Sequence, residues 1–340
     1  MTRINQLKAA GRVLGLFALV LALLGALAGK CVYASEFKVG MVLDKGGKED
    51  KSFNNAAYDG FKHAKAELKI TGKVIEASDD NSYEPLLRAM ASRDFDLIIA
   101  IGFAQAEAVK RVSKAYPSKH FVIVDAEVEA PNVRTLMFRE HEGSFLVGAL
   151  AALVSHTGKI GFIGGMDGPL IRRFEMGYIA GAKYINPRVK VISNFVGVSV
   201  DAWNNPAKGK ELAIAQYSEG GDIIFGAAGA SGNGVFDAAE EEGRLVIGVD
   251  SNQNWVKPGH VLTSMLKRVD VAVFDTIRAA QSGQFAGGIF YYGLANSGID
   301  YAMDQYNEAL VPKAARARIE ELKKAIIDGK IRVPDYYEKK

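Results

Sequence analysis

Three kinds of residue in this chain could do chemistry together: acids that end apolar runs, rings set in polar loops, and glycine clusters. The run HFVIVD (120–125) ends in Asp125, and RLVIGVD (244–250) ends in Asp250. Asp44 ends another run, in Asp44-Lys45-Gly46-Gly47, and Asp50-Lys51-Ser52-Phe53-Asn54-Asn55 comes shortly after. Gly164-Gly165-Met166-Asp167-Gly168 precedes Arg172, Arg173 and Phe174, while residues 199–206 carry Asp201, Trp203 and Asn204, and residues 226–232 surround Gly229 with small residues. Aromatic faces suit a flat ring, and a carboxylate accepts two hydroxyl hydrogen bonds at once, as vicinal sugar hydroxyls require. Together these residue types suit a nucleoside or a sugar. Each has a plainer reading as well. A strand-end Asp caps the following helix, Phe53 packs in the core, and glycines make turns. Arg172 and Arg173 read first as surface or interlobe charges. Trp203, flanked by polar residues, is the ring least well explained by core packing.

For these residues to meet, several strands must deliver their carboxyl ends to one crevice, where ligands bind in open α/β sheets. Short apolar runs lie at 37–43, 73–77, 97–101, 121–124, 159–164, 189–196, 223–225 and 245–249. Most are rich in Val and Ile, as strands buried on both faces are. Amphipathic stretches at 53–68, 85–92, 107–115, 171–185, 207–219 and 235–242 lie between them and predict helices, the first with Ser52 as its N-cap. Alternating strands and helices argue for parallel, doubly wound sheets with right-handed crossovers. Eight strands exceed one comfortable sheet. The expectation is therefore an α/β chain of two doubly wound, Rossmann-like lobes joined by a hinge. Lobe 1 is placed at about 36–139 and lobe 2 at about 140–264, with part of 266–340 returning across the hinge. Residues 269–281 predict a helix, 287–303 further strands assigned to lobe 2, and 314–327 a closing surface helix.

The chain has 340 residues, 49% hydrophobic and 24% charged, which excludes wholesale disorder. Four of its 42 Lys and Arg, and none of its 39 Asp and Glu, lie within residues 1–34. The remainder is nearly neutral and offers no electrostatic footprint for nucleic acid. Residues 1–34 read as a signal peptide. Arg3, Lys8 and Arg12 precede an uncharged run of 17 residues, 13–29, and Val32-Tyr33-Ala34 fits a cleavage site before Ser35. The expected location is periplasmic or elsewhere in the cell envelope. The alternatives are an uncleaved anchor, for which the run is short, and a lipid on Cys31, disfavoured because Lys30 separates it from Leu27-Ala28-Gly29. A single cysteine permits no intrachain disulfide and no Cys-based zinc site. The five histidines form no H-E-x-x-H pair, and neither a phosphate-binding G-x-x-x-x-G-K-[ST] nor a G-x-S-x-G occurs. A binding protein is expected, with no catalytic residue, no metal and no cofactor.

Several long stretches resemble one family. They are DKGGKEDKSFNNAAYDGF (44–61), GKIGFIGGMDGPLIRRFEMGYIAGA (158–182), VDAWNNPAKGKELA (200–213), AAGASGNGVFDAAEEEG (227–243), VIGVDSNQ (246–253) and VLTSMLKRVD (261–270). In order and spacing they resemble the basic membrane protein family of substrate-binding proteins, which includes purine nucleoside receptors of ABC transporters. The resemblance implies a type I periplasmic-binding-protein fold, capture of a nucleoside between two lobes, and delivery to a membrane permease. It implies that the base stacks between Phe53, from KSFN, and Trp203, from DAWNNP, with Asp44 and Asn54 at the base edge. Asp125, Asp250 and Lys267 would hold the ribose, assisted by the Gly229 backbone, with Met166 and Phe174 as second-rank wall residues. The implied partners are a small-molecule nucleoside and an ABC permease. The protein would be a monomer that meets the membrane only through the permease or a lipid anchor. Family members are commonly lipoproteins, a point on which Lys30 sets this sequence apart. The alternatives are another small ligand (a sugar, a flavin or a signal molecule) on the same fold, or a nucleoside-processing enzyme.

Overall fold

The structure is a computed structural model and describes residues 36–339; the leader, with Lys30 and Cys31, lies outside the described residues. The apolar runs form two sheets. Strands β1 (Lys38–Leu43), β2 (Thr71–Glu76), β3 (Leu97–Ile101), β4 (His120–Val124) and β5 (Val133–Phe138) belong to the first. Strands β6 (Lys159–Met166), β7 (Lys190–Gly197), β8 (Ile223–Ala227), β9 (Leu245–Asp250) and β10 (Val261–Lys267) belong to the second. Late in the chain, β11 (Gly288–Tyr292) joins β5 in parallel and β12 (Ile299–Tyr301) joins β10 antiparallel. Residues 287–303 are thus divided between the sheets. The orders are β11-β5-β4-β3-β1-β2 and β12-β10-β9-β8-β6-β7, one plan used twice. Asp125 therefore follows β4 and Asp250 ends β9, strands in equivalent places of the two sheets.

Helices fill the crossovers: α1 (Phe53–Glu67), α2 (Tyr83–Ala91) and α3 (Ala106–Ala115) within the first half, and α4 (Glu140–Val154), α5 (Pro169–Ile185), α6 (Pro206–Ser218) and α7 (Gly232–Glu241) within the second. Helix α8 (Val269–Gln281) returns to pack on α1, and α9 (Lys313–Ile327) packs on α4. The chain passes between the two halves after β5, after β10 and after β11. Helices α4 and α5 touch backbone to backbone. A Cβ on Gly177 would lie 2.4 Å from the His141 carbonyl oxygen, and one on Gly181 would lie 1.9 Å from that of Phe145. That close approach brings α5, which carries Arg173 and Phe174, against α4, and Arg173 bonds Glu140 at its start. Among the described residues, no helix is long and apolar enough to cross a membrane.

Helix α1 carries site residues at its first turn, and its start differs from the sequence expectation. Ser52 occupies the cap position but makes no side-chain cap bond. The Asp50 carboxylate does that work, accepting from the backbone N–H groups of Ser52 (2.8 Å), Asn54 (2.9 Å) and Asn55 (2.9 Å). Asp50 reaches three orphan donors of the first turn because it stands two residues before the cap, on a loop that folds back. Replacing Asp50 by Ala is expected to cost about 1–2 kcal/mol of stability, read by urea unfolding. A loss no larger than that of Ser52→Ala would contradict this assignment.

Candidate functional site

The carboxyl ends of both sheets enclose a small cavity, placed where ligands bind in open α/β sheets. Asp44, Phe53, Asn54, Asp125, Phe174 and Trp203 line it, as do Gly229, Asp250 and Lys267. Met166, at the end of β6, is not among the lining residues. Phe103, after β3, is a wall residue that the sequence reading passed over.

The aromatic wall is built on glycine. The Trp203 indole lies against Gly165, where an added Cβ would fall 2.3 Å from the ring, and against Gly229, whose φ of +56° suits glycine. Phe103 meets Trp203 edge-on, with ring centroids 6.4 Å apart and planes at 74°. The Trp203 Nε1 is buried and has no hydrogen-bond partner among the described residues. Phe53 and Phe174 flank the Lys267 ammonium, at 5.1 and 5.7 Å from their ring centres, and Phe138 closes its third side at 5.0 Å.

Lys267, the last residue of β10, is 1% exposed. Its Nζ donates to Asp125 Oδ2 at 2.6 Å and stands 3.0 Å from Glu140 Oε1, a charge contact without hydrogen-bond alignment. Burial pulls the lysine pKa down, but Asp125, Glu140 and Asp250 more than reverse that, and the net direction is upward. The lysine stays charged across the neutral range. For Asp125, burial pushes the carboxyl above its ordinary value while Lys267 holds it back. Its Oδ1 is buried and has no hydrogen-bond partner among the described residues. Both strand-end aspartates sit in left-handed backbone, with φ of 70° at Asp125 and 64° at Asp250, which Asp tolerates better than most residues.

Asp250 is held from the opposite half. The Ser52 hydroxyl donates to its Oδ2, Ser251 Oγ donates to the Ser52 carbonyl at 3.0 Å, and Gln253 Nε2 donates to the Lys51 carbonyl at 2.9 Å. At another point of the rim Lys45 pairs with Asp201. These bonds join loops of the two sheets, so the cleft is closed. Burial raises the Asp250 pKa to about 7, with Lys267 and the Ser52 hydroxyl opposing.

Asp44 is raised to about 6, chiefly by burial, against hydrogen bonds from the Tyr83 hydroxyl and the Lys45 N–H. Asn54 spends its amide on its neighbours. Its Oδ1 accepts from the Asp44 N–H at 2.9 Å, and its Nδ2 donates to Asp50 at 3.1 Å. It holds Asp44 in place and keeps one N–H to offer. The arrangement presents rings for a flat apolar moiety and separate carboxylates, one from each half, for hydroxyl groups. Among the described residues no His, Cys, Asp and Glu group could hold a metal ion.

Two similar α/β halves closing over a buried polar and aromatic cavity define a two-lobed solute-binding protein. An ABC transporter solute-binding protein of Aeropyrum pernix superposes with a TM-score of 0.81 over 88% of this chain and 94% of its own, at 29% identity. The sequence model of the PnrA-like ABC transporter substrate-binding proteins matches residues 37–335, and the chain belongs to that family. It is 37% identical over 325 residues to a CD4+ T-cell-stimulating antigen of Listeria monocytogenes, covering 89% of each chain. It is 34% identical over 323 residues to the ABC transporter nucleoside-binding protein BmpA of Lactococcus lactis, covering 88% of this chain and 90% of that one.

Proposed function

We propose that this protein captures a purine nucleoside outside the cytoplasm and hands it to an ABC permease, without catalysis. The observation that carries the reading is the pairing, inside one closed cavity, of an aromatic wall with two strand-end aspartates contributed by opposite lobes. The base would stack on Phe53 and Trp203, with Asp44 at its edge. The ribose hydroxyls would bond to Asp125 and Asp250, beside Lys267. The relative named as nucleoside-binding supports the same ligand class. A ligand touching both lobes binds the closed state better than the open one, and only that difference shifts the population. The closed, loaded form would then be what a permease recognises.

The test is thermal shift of the chain expressed from Ser35, after unfolding and refolding to remove carried-over ligand. Probes are nucleosides, free bases, sugars and riboflavin. A ligand that binds only the native state raises the melting temperature, by about 2.7 kcal/mol of added stability at a hundred times its Kd. Purine nucleosides should give that shift, and ribose or base alone should not. A shift with a sugar or riboflavin only would keep the binding class and overturn the ligand.

A further inference from the structure

Arg173 is 3% exposed, and sequence alone marks it as a surface or interlobe charge. In the fold it sits behind the cavity, where the chain first passes between the lobes. Its Nη1 donates to the Phe138 carbonyl at 2.7 Å and to Glu140 Oε2 at 2.6 Å. Its Nε and Nη2 clasp Asp335 at 2.7 and 2.8 Å, and its Nη2 meets His141 Nδ1 at 3.1 Å. The Tyr337 ring covers the guanidinium at 4.4 Å. Glu140 is fully buried and shares its carboxylate between Arg173 and the ammonium of Lys267. A continuous charge chain therefore runs Asp335–Arg173–Glu140–Lys267–Asp125, from the C-terminal tail to the cavity wall.

We propose that the C-terminal tail, through Asp335, is a positioning element of the binding site. Asp335 touches nothing in the cavity. It fixes the fork of Arg173, which makes a bidentate pair in a planar geometry that a single-pronged contact would not hold. Arg173 fixes the Glu140 carboxylate, and Glu140 and Asp125 between them set where the Lys267 ammonium stands. Arg173 also grips the Phe138 carbonyl at the end of β5, so the same residue pins the first crossing between lobes. Loss of Asp335 frees one side of Arg173 while leaving every cavity-lining residue in place. The expected result is a weaker site in a protein that still folds.

The inference rests on the cavity being the nucleoside site, and the experiment separates the two. Asp335→Asn and a chain ending at Pro334 are compared with the parent protein. Affinity for guanosine and inosine is measured by calorimetry well below every melting point. The isotope-labelled ammonium signal of Lys267, assigned through Lys267→Arg, is recorded without ligand. Affinity should fall roughly 3- to 30-fold, the range for positions that act through a packed network. The ammonium signal should move or broaden in both variants, and Asp335→Glu should restore part of the affinity. A lower melting temperature with unchanged affinity and an unmoved Lys267 signal would make the tail a purely structural strap and overturn the proposal. If the parent protein binds neither nucleoside, the functional reading fails, and the ammonium signal alone decides the linkage: moved supports it, unmoved overturns it.

Discussion

Lys267→Met is expected to lower stability by about 3–5 kcal/mol, because removing one partner of a buried ion pair leaves the other charge uncompensated. At about 2.1 cal/mol/K of unfolding entropy per residue, that is a fall in melting temperature of roughly 5–8 °C for a body of this length. The ammonium lies between Asp125 Oδ2 and Glu140 Oε1, at 2.6 and 3.0 Å. Glu140 keeps Arg173 when the lysine goes, whereas Asp125 loses its hydrogen-bonded cation. The orphaned Asp125 carboxyl is then pushed further above its ordinary value by burial. A carboxyl raised in the folded state costs stability as pH climbs from its ordinary value up to its folded pKa, so the deficit should be larger at pH 8 than at pH 5. The intact lysine behaves in the opposite sense. Its folded pKa is raised, so its contribution is fully present below its ordinary value and is lost only in strong alkali. The double variant Lys267→Met/Asp125→Asn removes the stranded charge and should unfold later than Lys267→Met alone. A double variant less stable than the single one would show that the Asp125 carboxyl supports the fold even without its lysine, and would overturn the stranded-charge account.

The parts of this fold that showed in the sequence are those whose signal is local. Strands such as β4 and β9 are nearly unbroken apolar runs, and their ends delivered Asp125 and Asp250 by inspection. Strands β5 (VRTLMF) and β10 (VLTSMLK) did not show, because buried polar residues interrupt them. Arg134 is at home there because it reaches the Ala286 carbonyl at 2.9 Å and lies over Phe290, and Thr263 donates to the Ala302 carbonyl at 2.7 Å. Helix α4 was hidden for the opposite reason. From Glu140 to Ala151 nearly all of it is buried, so it has no polar stripe to mark a helical period. Missing β5 and α4 together concealed Glu140, which follows directly on that strand, in FREHEGSF. Ser52 was read as a helix cap from its position; its bond to Asp250, 198 residues away, is a product of lobe closure and leaves no trace in spacing. Asn54 was picked for the crevice from the loop after β1, but its bonds to Asp44 and Asp50 are visible only in the structure. Most of the residues picked from the sequence line the cavity, whereas some that hold them, such as Ser52 for Asp250 and Glu140 for Lys267, come from distant parts of the chain.

Asp250→Ala should cost binding far more than folding. In the fold this carboxyl is costly to ionise. Burial raises its pKa to about 7, so its ionised form destabilises the fold near neutral pH. The sign follows directly. Between the ordinary carboxyl value and about 7 the native state binds more protons than the unfolded one, and stability falls as pH rises. Removing the carboxyl takes that slope away. Against this gain stand the lost bond from Ser52 and the left-handed φ of 64°, which alanine adopts at a cost of about 1–2 kcal/mol. These contributions oppose each other, and the net change in stability should stay within about 1 kcal/mol. Asp250→Asn, which tolerates the same backbone, should be at least as stable as the parent at pH 8. Binding has no such compensation. On the proposed function a charge-assisted bond to a ligand hydroxyl inside a closed cavity would be lost, at about 2–4 kcal/mol, which is roughly a 30- to 800-fold rise in Kd for the responding nucleoside. The parent's affinity should also strengthen as pH rises through about 7, since hydroxyl donors favour the ionised acceptor, and Asp250→Asn should lose that dependence. Calorimetric titration of parent and both variants at pH 6 and pH 8, beside urea unfolding in the same buffers, reads all four quantities. Equal free-energy losses in binding and unfolding for Asp250→Ala would mean that this aspartate serves the closed lobes through Ser52 and does not meet the ligand.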